Sequence, residues 1–430
     1  MNIVAQVMQK VNEIMNEKQL ERIAREVGFL KRKRKVDPKK FLENMLLLKL
    51  ESPGSSLEDL VYEFHKDNCV ISKQALHKKF NNSALEFIKT VLSNLLEYTF
   101  NTSTTCLGAI PFIKNVQVID SSEIRLHKAL KDIFPQVRNQ GAAIKLQSLV
   151  DVVNNRISLL DICLSKEPDQ GYKKYITHIQ ADDLLLGDLG YFCVDTFGKV
   201  ESTKGFFLFR YFKKTNLYDI ATRESINLRR ILGQAKEEKI ELQVALGASQ
   251  FPCRLTALKL TEEAYQKRLK NLEEKRRKDP RTKKNGNDLL NQWTIFVTNL
   301  PVSIAAEVLL QLYSLRWQIE LFFKMMKTFL KLRVVDDKSK QRAFISLYIL
   351  LIAMVLLSFV AMTIVDKEIS LYKASKLFIK NIRGFMGYIS NQKKCAISWL
   401  RELICKFALK ESRKNRPSTK LVLKWTPIYA

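Results

Sequence analysis

A chain of 430 residues with 46% apolar side chains holds enough hydrophobic material for roughly two to four domains, which excludes a disordered protein. Its 72 lysines and arginines against 44 acids leave a net charge of +28, pointing to a polyanionic partner, nucleic acid ahead of an anionic membrane surface. The cysteines (Cys69, Cys106, Cys163, Cys193, Cys253, Cys395, Cys405) form no CxxC pair, which disfavours zinc and indicates reduced thiols and a cytoplasmic address.

Residues 1–105 read as an all-helical domain. The opening "MNIVAQVMQKVNEIMNEKQLERIAREVGF" is periodic and charged throughout, unlike a signal peptide. A basic break at 31–35 and Pro38 separate two helical stretches, and Ser55 or Ser56 before Leu57-Glu58 has the form of an N-cap. A further helix can start at Ser72. Two short helices joined by "KDNCV" suit a helix-turn-helix, whose second helix would present Lys73, Gln74, His77 and Lys78 to a DNA groove. A generic bundle with a solvated basic face is the plainer alternative.

From 106 to 215 the pattern becomes α/β. "NVQVID" alternates and ends in Asp120, and two β-rich runs flank Asn154-Asn155, a hairpin turn. A short apolar run then leads to Asp188, and 205–214 reads as another strand, about five strands in all. Residues 216–290 form a strand-rich insertion closing on a charge run, expected as a solvated helix or loop. "QWTIFVTNLP" (292–301) returns to strand, and 313–332 reads as one amphipathic helix. Residues 344–365 carry no charge and are long enough to span a bilayer or to fill a soluble core. The tail, 366–430, reads as helical and basic.

The chemistry-bearing candidates are acids at element ends. Asp120, Asp188 and Glu320 come from separate elements, and three carboxylates converging at a sheet edge can hold two divalent cations for in-line phosphoryl transfer. Mg²⁺ suits such a site because it takes few carboxylates and binds substrate phosphate. On a continuous helical wheel Tyr313, Arg316, Glu320 and Lys327 fall within about 60° of one another. A routine Arg316–Glu320 salt bridge explains two of the four.

The set Tyr313-x2-Arg316-x3-Glu320-x6-Lys327 resembles the Tyr-Arg-Glu-Lys signature of bacterial insertion-sequence transposases of the IS-four type. "VIDSSEIRL" resembles that family's first-aspartate motif, "GDLGYF" its second, and "FLFRYFKK" the following strand; the likeness runs over nearly the whole chain. The resemblance implies an RNase H-like mixed sheet with flanking helices, interrupted by a strand-rich insertion. An N-terminal helical DNA-binding domain and a basic C-terminal region would complete it. The catalytic core would comprise 106–215 and 291–365.

The same resemblance makes Asp120, Asp188 and Glu320 the catalytic and metal-binding triad for two Mg²⁺ ions, with Mn²⁺ as substitute. Arg316 and Lys327 would contact phosphates of the element's end, and Tyr313 would bond or pack against the DNA backbone. Trp317 or Trp293 would stack on a displaced base, and Arg210 would face DNA or a solvated edge. The implied partners are double-stranded DNA, as terminal inverted repeats and target, and a second copy in the DNA-bound dimer. The chain would be nucleoid-associated, with 344–365 a core helix and no membrane involved. A catalytically silent transposase-derived DNA-binding protein and a basic membrane-associated protein are the alternatives.

Overall fold

The computed structural model describes residues 3–32, 36–52, 54–97, 110–137, 140–278, 288–330, 332–364, 367–391 and 395–410. Helices come first: α1 (Ile3–Met15), α2 (Glu17–Glu26), α3 (Pro38–Glu51), α4 (Leu57–Lys66), α5 (Lys73–His77) and α6 (Asn82–Leu96). Then follow β1 (Asn115–Leu126), β2 (Ala142–Asp151), β3 (Arg156–Leu164), β4 (Asp183–Gly187), α7 (Val194–Ser202) and β5 (Phe206–Arg210). The insertion contributes β6 (Leu217–Asp219), α8 (Leu228–Gln234), β7 (Lys239–Leu246), β8 (Phe251–Lys259) and α9 (Glu262–Lys278). Next come β9 (Trp293–Thr298), α10 (Ala306–Ser314), α11 (Trp317–Phe329), β10 (Val334–Val335) and α12 (Lys340–Met362). The last described helices are α13 (Leu371–Lys380), α14 (Ile382–Ser390) and α15 (Ala396–Phe407). The basic tail from 411 onward lies outside the described residues.

Local chemistry sets the element ends. Ser56 and Asp59 cap α4 reciprocally, and Ser72 caps α5 through the Ala75 amide. The second helix of the expected helix-turn-helix is one turn long, because Asn81 already caps α6 through the Ala84 amide at 3.0 Å. The β2–β3 hairpin turns at the expected asparagines, with Asn155 at φ 54°, a left-handed conformation asparagine tolerates well.

The strands form a ten-stranded mixed sheet in the order β3-β2-β1-β4-β5-β9-β8-β7-β6, with β10 beside β1. β1, β4 and β5 pair in parallel, whereas β2–β3 and the steps from β5 through β9, β8 and β7 to β6 are antiparallel. The insertion's strands therefore continue the sheet beyond β9; the described part of its charge run forms the largely exposed helix α9, and 279–287 lie outside the described residues.

The described residues divide into two compact units: those within 1–97, 120–167 and 317–410 in the first, and those within 110–119 and 168–316 in the second. The first unit is built around α12, 94% of whose most apolar stretch is buried against α3, α6, α13, α15 and β3. Ser358 on α12 donates to the Asn155 carbonyl at 2.7 Å. A helix with the length and hydropathy of a membrane span is thus a core helix in this fold. Arg383 on α14 fastens the C-terminal helices to α3 and α4, donating to Glu51 and Glu63 at 2.6 Å each. In the second unit Arg254 on β8 is buried, forks onto Glu241 at 2.8 and 2.9 Å, and donates to the carbonyls of Pro301 and Ile304. Those carbonyls lie on the segment that leads into α10.

Candidate active site

In the second unit the site is built on the end of β4. β1 and β4 run parallel with Ile119 opposite Gly187, and the next residue of each chain is an aspartate, Asp120 and Asp188. Asp188 caps a tight 3-10 turn at Leu189–Tyr191, its Oδ1 accepting from the Gly190 amide at 2.8 Å. That bond fixes the carboxylate's orientation. The Tyr313 hydroxyl donates to the Gly187 carbonyl at 3.1 Å, and its ring lies on Phe296 with centroids 5.2 Å apart. Burial pushes the Tyr313 phenol up; Arg316 and Arg210 pull it down and Asp188 pushes it up again. Asp188, Arg210 and Arg316 are therefore electrostatic neighbours of the Tyr313 phenol.

The first unit holds the other candidate residues. Asp120 accepts from the Ser121 amide at 2.8 Å. Glu320 lies in the first turn of α11, where a carboxylate is favoured by the helix dipole. Lys327 lies seven residues further along the same helix, about 20° from Glu320 in projection. Burial pulls the Lys327 ammonium below its usual range; Glu123 opposes this, Arg333 and Arg125 add to it, and Asp120 opposes it. Trp317, 47% exposed, opens the same helix.

The stretch 313–332 is not one helix. The Leu315 and Arg316 amides bond back to the Leu312 and Tyr313 carbonyls at 3.0 and 3.1 Å, a three-residue step that tightens the last turn of α10 and ends it. Tyr313 and Arg316 thus come from α10 and its terminal turn, and Glu320 and Lys327 from α11. Trp293 is likewise corrected: it is 2% exposed on β9, so its ring faces are taken by packing and offer no base a platform. Lys73 is exposed but ion-paired with Glu58, and Lys78 is exposed at the end of α5.

Among the described residues no three histidine, cysteine, aspartate or glutamate side chains are grouped to hold a metal ion. Asp120 and Glu320 belong to one unit and Asp188 to the other. Sequence reasoning missed Gly187, Phe296, Glu123, Arg125 and Arg333. Only Gly187 carried a signal, a glycine closing an apolar strand directly before an acid.

A sequence model described as "Transposase DDE domain" matches residues 111–356, more than half of the chain. The chain belongs to the family of DDE transposases. The transposase for insertion sequence element IS231F of Bacillus thuringiensis subsp. israelensis is 28% identical over 363 residues, covering 79% of this chain and 76% of that one. The transposase for insertion sequence element IS1151 of Clostridium perfringens is 28% identical over 453 residues, covering 95% and 93%. Among solved structures, the synaptic complex of piggyBac transposase with hairpin DNA aligns over 96% of this chain and 87% of that one, at 10% identity and TM-score 0.47. The activity is accordingly that of an insertion-sequence transposase, an enzyme that cuts and joins DNA.

Proposed function

We propose that Asp120, Asp188 and Glu320 are the catalytic triad of an RNase H-like nuclease, cutting at the ends of its own insertion sequence and joining the freed 3′-hydroxyls to target DNA. The observation that carries this reading is the register of β1 and β4: past the pair Ile119 and Gly187 the next residue is Asp120 on β1 and Asp188 just beyond the end of β4. The strand order β3-β2-β1-β4-β5 supports it further. The donor set fits a divalent cation, since all three candidates are hard carboxylate ligands and two are oriented by backbone amides. Such ions, two Mg²⁺ in this reading, would supply Lewis acidity at the scissile phosphate and a reactive water.

The chain's own residues do the rest. Arg316 and Arg210 offer guanidiniums near the Tyr313 phenol, suited to bidentate capture of phosphate oxygens. Lys327, held among Glu123, Arg333, Arg125 and Asp120, offers a point charge that DNA phosphate would stabilise. Trp317 offers an exposed indole on which a displaced base can stack. Joining two ends to one target requires two active sites, so the working species is a homodimer on DNA.

Glu320→Gln keeps the size of the side chain and removes its charge. It is expected to abolish Mg²⁺-dependent cleavage of a duplex bearing the element's end while leaving affinity for that duplex within about twofold. Equal cleavage by variant and wild type would overturn the assignment.

A further inference from the structure

The Tyr313 hydroxyl points into the protein. It donates to the carbonyl of Gly187, one residue before Asp188, while the Arg316 side chain hydrogen-bonds to the same phenol. β4 pairs with β5 only as far as Leu186 opposite Leu208, so Gly187 lies just past the registered pairs of that ladder. Gly187 is still registered opposite Ile119 of β1, and the phenol adds a tie to its carbonyl where the β5 partner has ended. Both sides of this contact are held. The Tyr313 ring is seated on Phe296 of β9, and α10 is anchored at its lead-in by the Arg254 bonds to the Pro301 and Ile304 carbonyls. Gly187 cannot be replaced without movement, since a Cβ there would lie 2.5 Å from Phe209 Cε1.

From this geometry we infer that Tyr313 is a positioning residue: through the Gly187 carbonyl it fixes the end of β4 and with it the Asp188 carboxylate. This rests on the reading of Asp188 as a member of the triad. The role differs from a contact with the DNA backbone, because the hydroxyl proton is already committed to Gly187. It also differs from nucleophilic catalysis. Burial holds the phenol above its ordinary ionisation range, so it stays protonated, and remains a donor, throughout the neutral range.

Tyr313→Phe removes the hydroxyl and keeps the ring on Phe296, so the fold should survive; a melting temperature lowered by no more than about 4 °C, the scale of one lost hydrogen bond, checks this. Two binding measurements on the full-length chain separate the roles. Affinity for an element-end duplex is read without metal, and Mn²⁺ affinity is read by paramagnetic resonance on the protein–DNA complex. The expected result is unchanged DNA affinity, with Mn²⁺ affinity and cleavage at limiting metal each lowered about 10–100-fold, as when a ligand loses its outer hydrogen bond. Saturating Mn²⁺ should restore cleavage. Weaker DNA binding with an unchanged metal response would make the hydroxyl a DNA contact and overturn the inference, as would a variant indistinguishable from wild type in both. Asp188→Asn measured alongside isolates the underlying reading: if it binds Mn²⁺ and cleaves like wild type, the triad assignment itself fails.

Discussion

Lys327 carries a conflict between folding and function in a single side chain. Burial disfavours its charged form, so its folded-state pKa lies below the ordinary lysine value of 10.5. The unfolded chain then binds more protons than the folded one between those two pKa values, and stability contributed by this site rises with pH across that window. Below that window the ammonium is charged in both states, and its cost is fully present. Lys327→Met should therefore leave the free protein as stable as wild type or more so at pH 7, while weakening its hold on an element-end duplex. The difference in urea midpoint should shrink as pH climbs towards 10.5. A variant that is less stable at neutral pH, with no trend towards alkali, would show that Lys327 is instead held by Glu123 and Asp120. Such residue-level environments are invisible in sequence. Asp120, Asp188 and Glu320 are proposed from the motifs around them, since three acids at element ends carry little signal in a chain with 44 acids. Trp293 could not be placed, because β9 is buried on both faces and its mix of apolar residues and threonines has no alternation to reveal which side a ring occupies.

Among the elements, those with a clear period or a turn signal were legible. Alternation marked β1 to Asp120, and the asparagine pair marked the β2–β3 turn; β1 nevertheless runs on to Leu126, through polar residues that gave no strand signal. The break between α10 and α11 was hidden because it contains neither glycine nor proline, and Leu315 and Ile319 keep the apolar spacing across it. Only the backbone bonds reveal it. α12 posed the opposite problem: its composition was unmistakable but consistent with two environments, and only its packing partners decide between them. Because Leu351 is fully buried at the middle of that helix, Leu351→Ala should cost about 3–5 kcal/mol in the unfolding free energy. Chemical denaturation of the full chain measures it. A loss below about 1 kcal/mol would mean that the site is not enclosed by protein as the fold requires.

For the whole molecule, the charge of +28 gave the sign of the partner from sequence but not the location of its binding surface, since cations are spread along the entire chain. The structure sorts them. Arg254 and Arg383 are spent on Glu241 and on Glu51 with Glu63, so they hold the protein together and have little to offer DNA. Arg316 and Lys327 have environments that a phosphate would improve: a phenol and a second guanidinium beside the first, partial burial with two arginines beside the second. Counterion release turns that distinction into a measurable slope. Each phosphate neutralised adds about 0.9 to the fall of log K against log salt, and a protein making six to ten such contacts loses roughly 10³–10⁵ in affinity between 50 and 200 mM salt. Arg316→Ala and Lys327→Ala should each flatten the slope for an element-end duplex by about 0.9, and the double variant by about 1.8. Arg383→Ala removes the same formal charge but should leave the slope where it was. If all three variants flatten it equally, the net charge acts as a diffuse field, and no particular cation can be assigned to the phosphates at the cut.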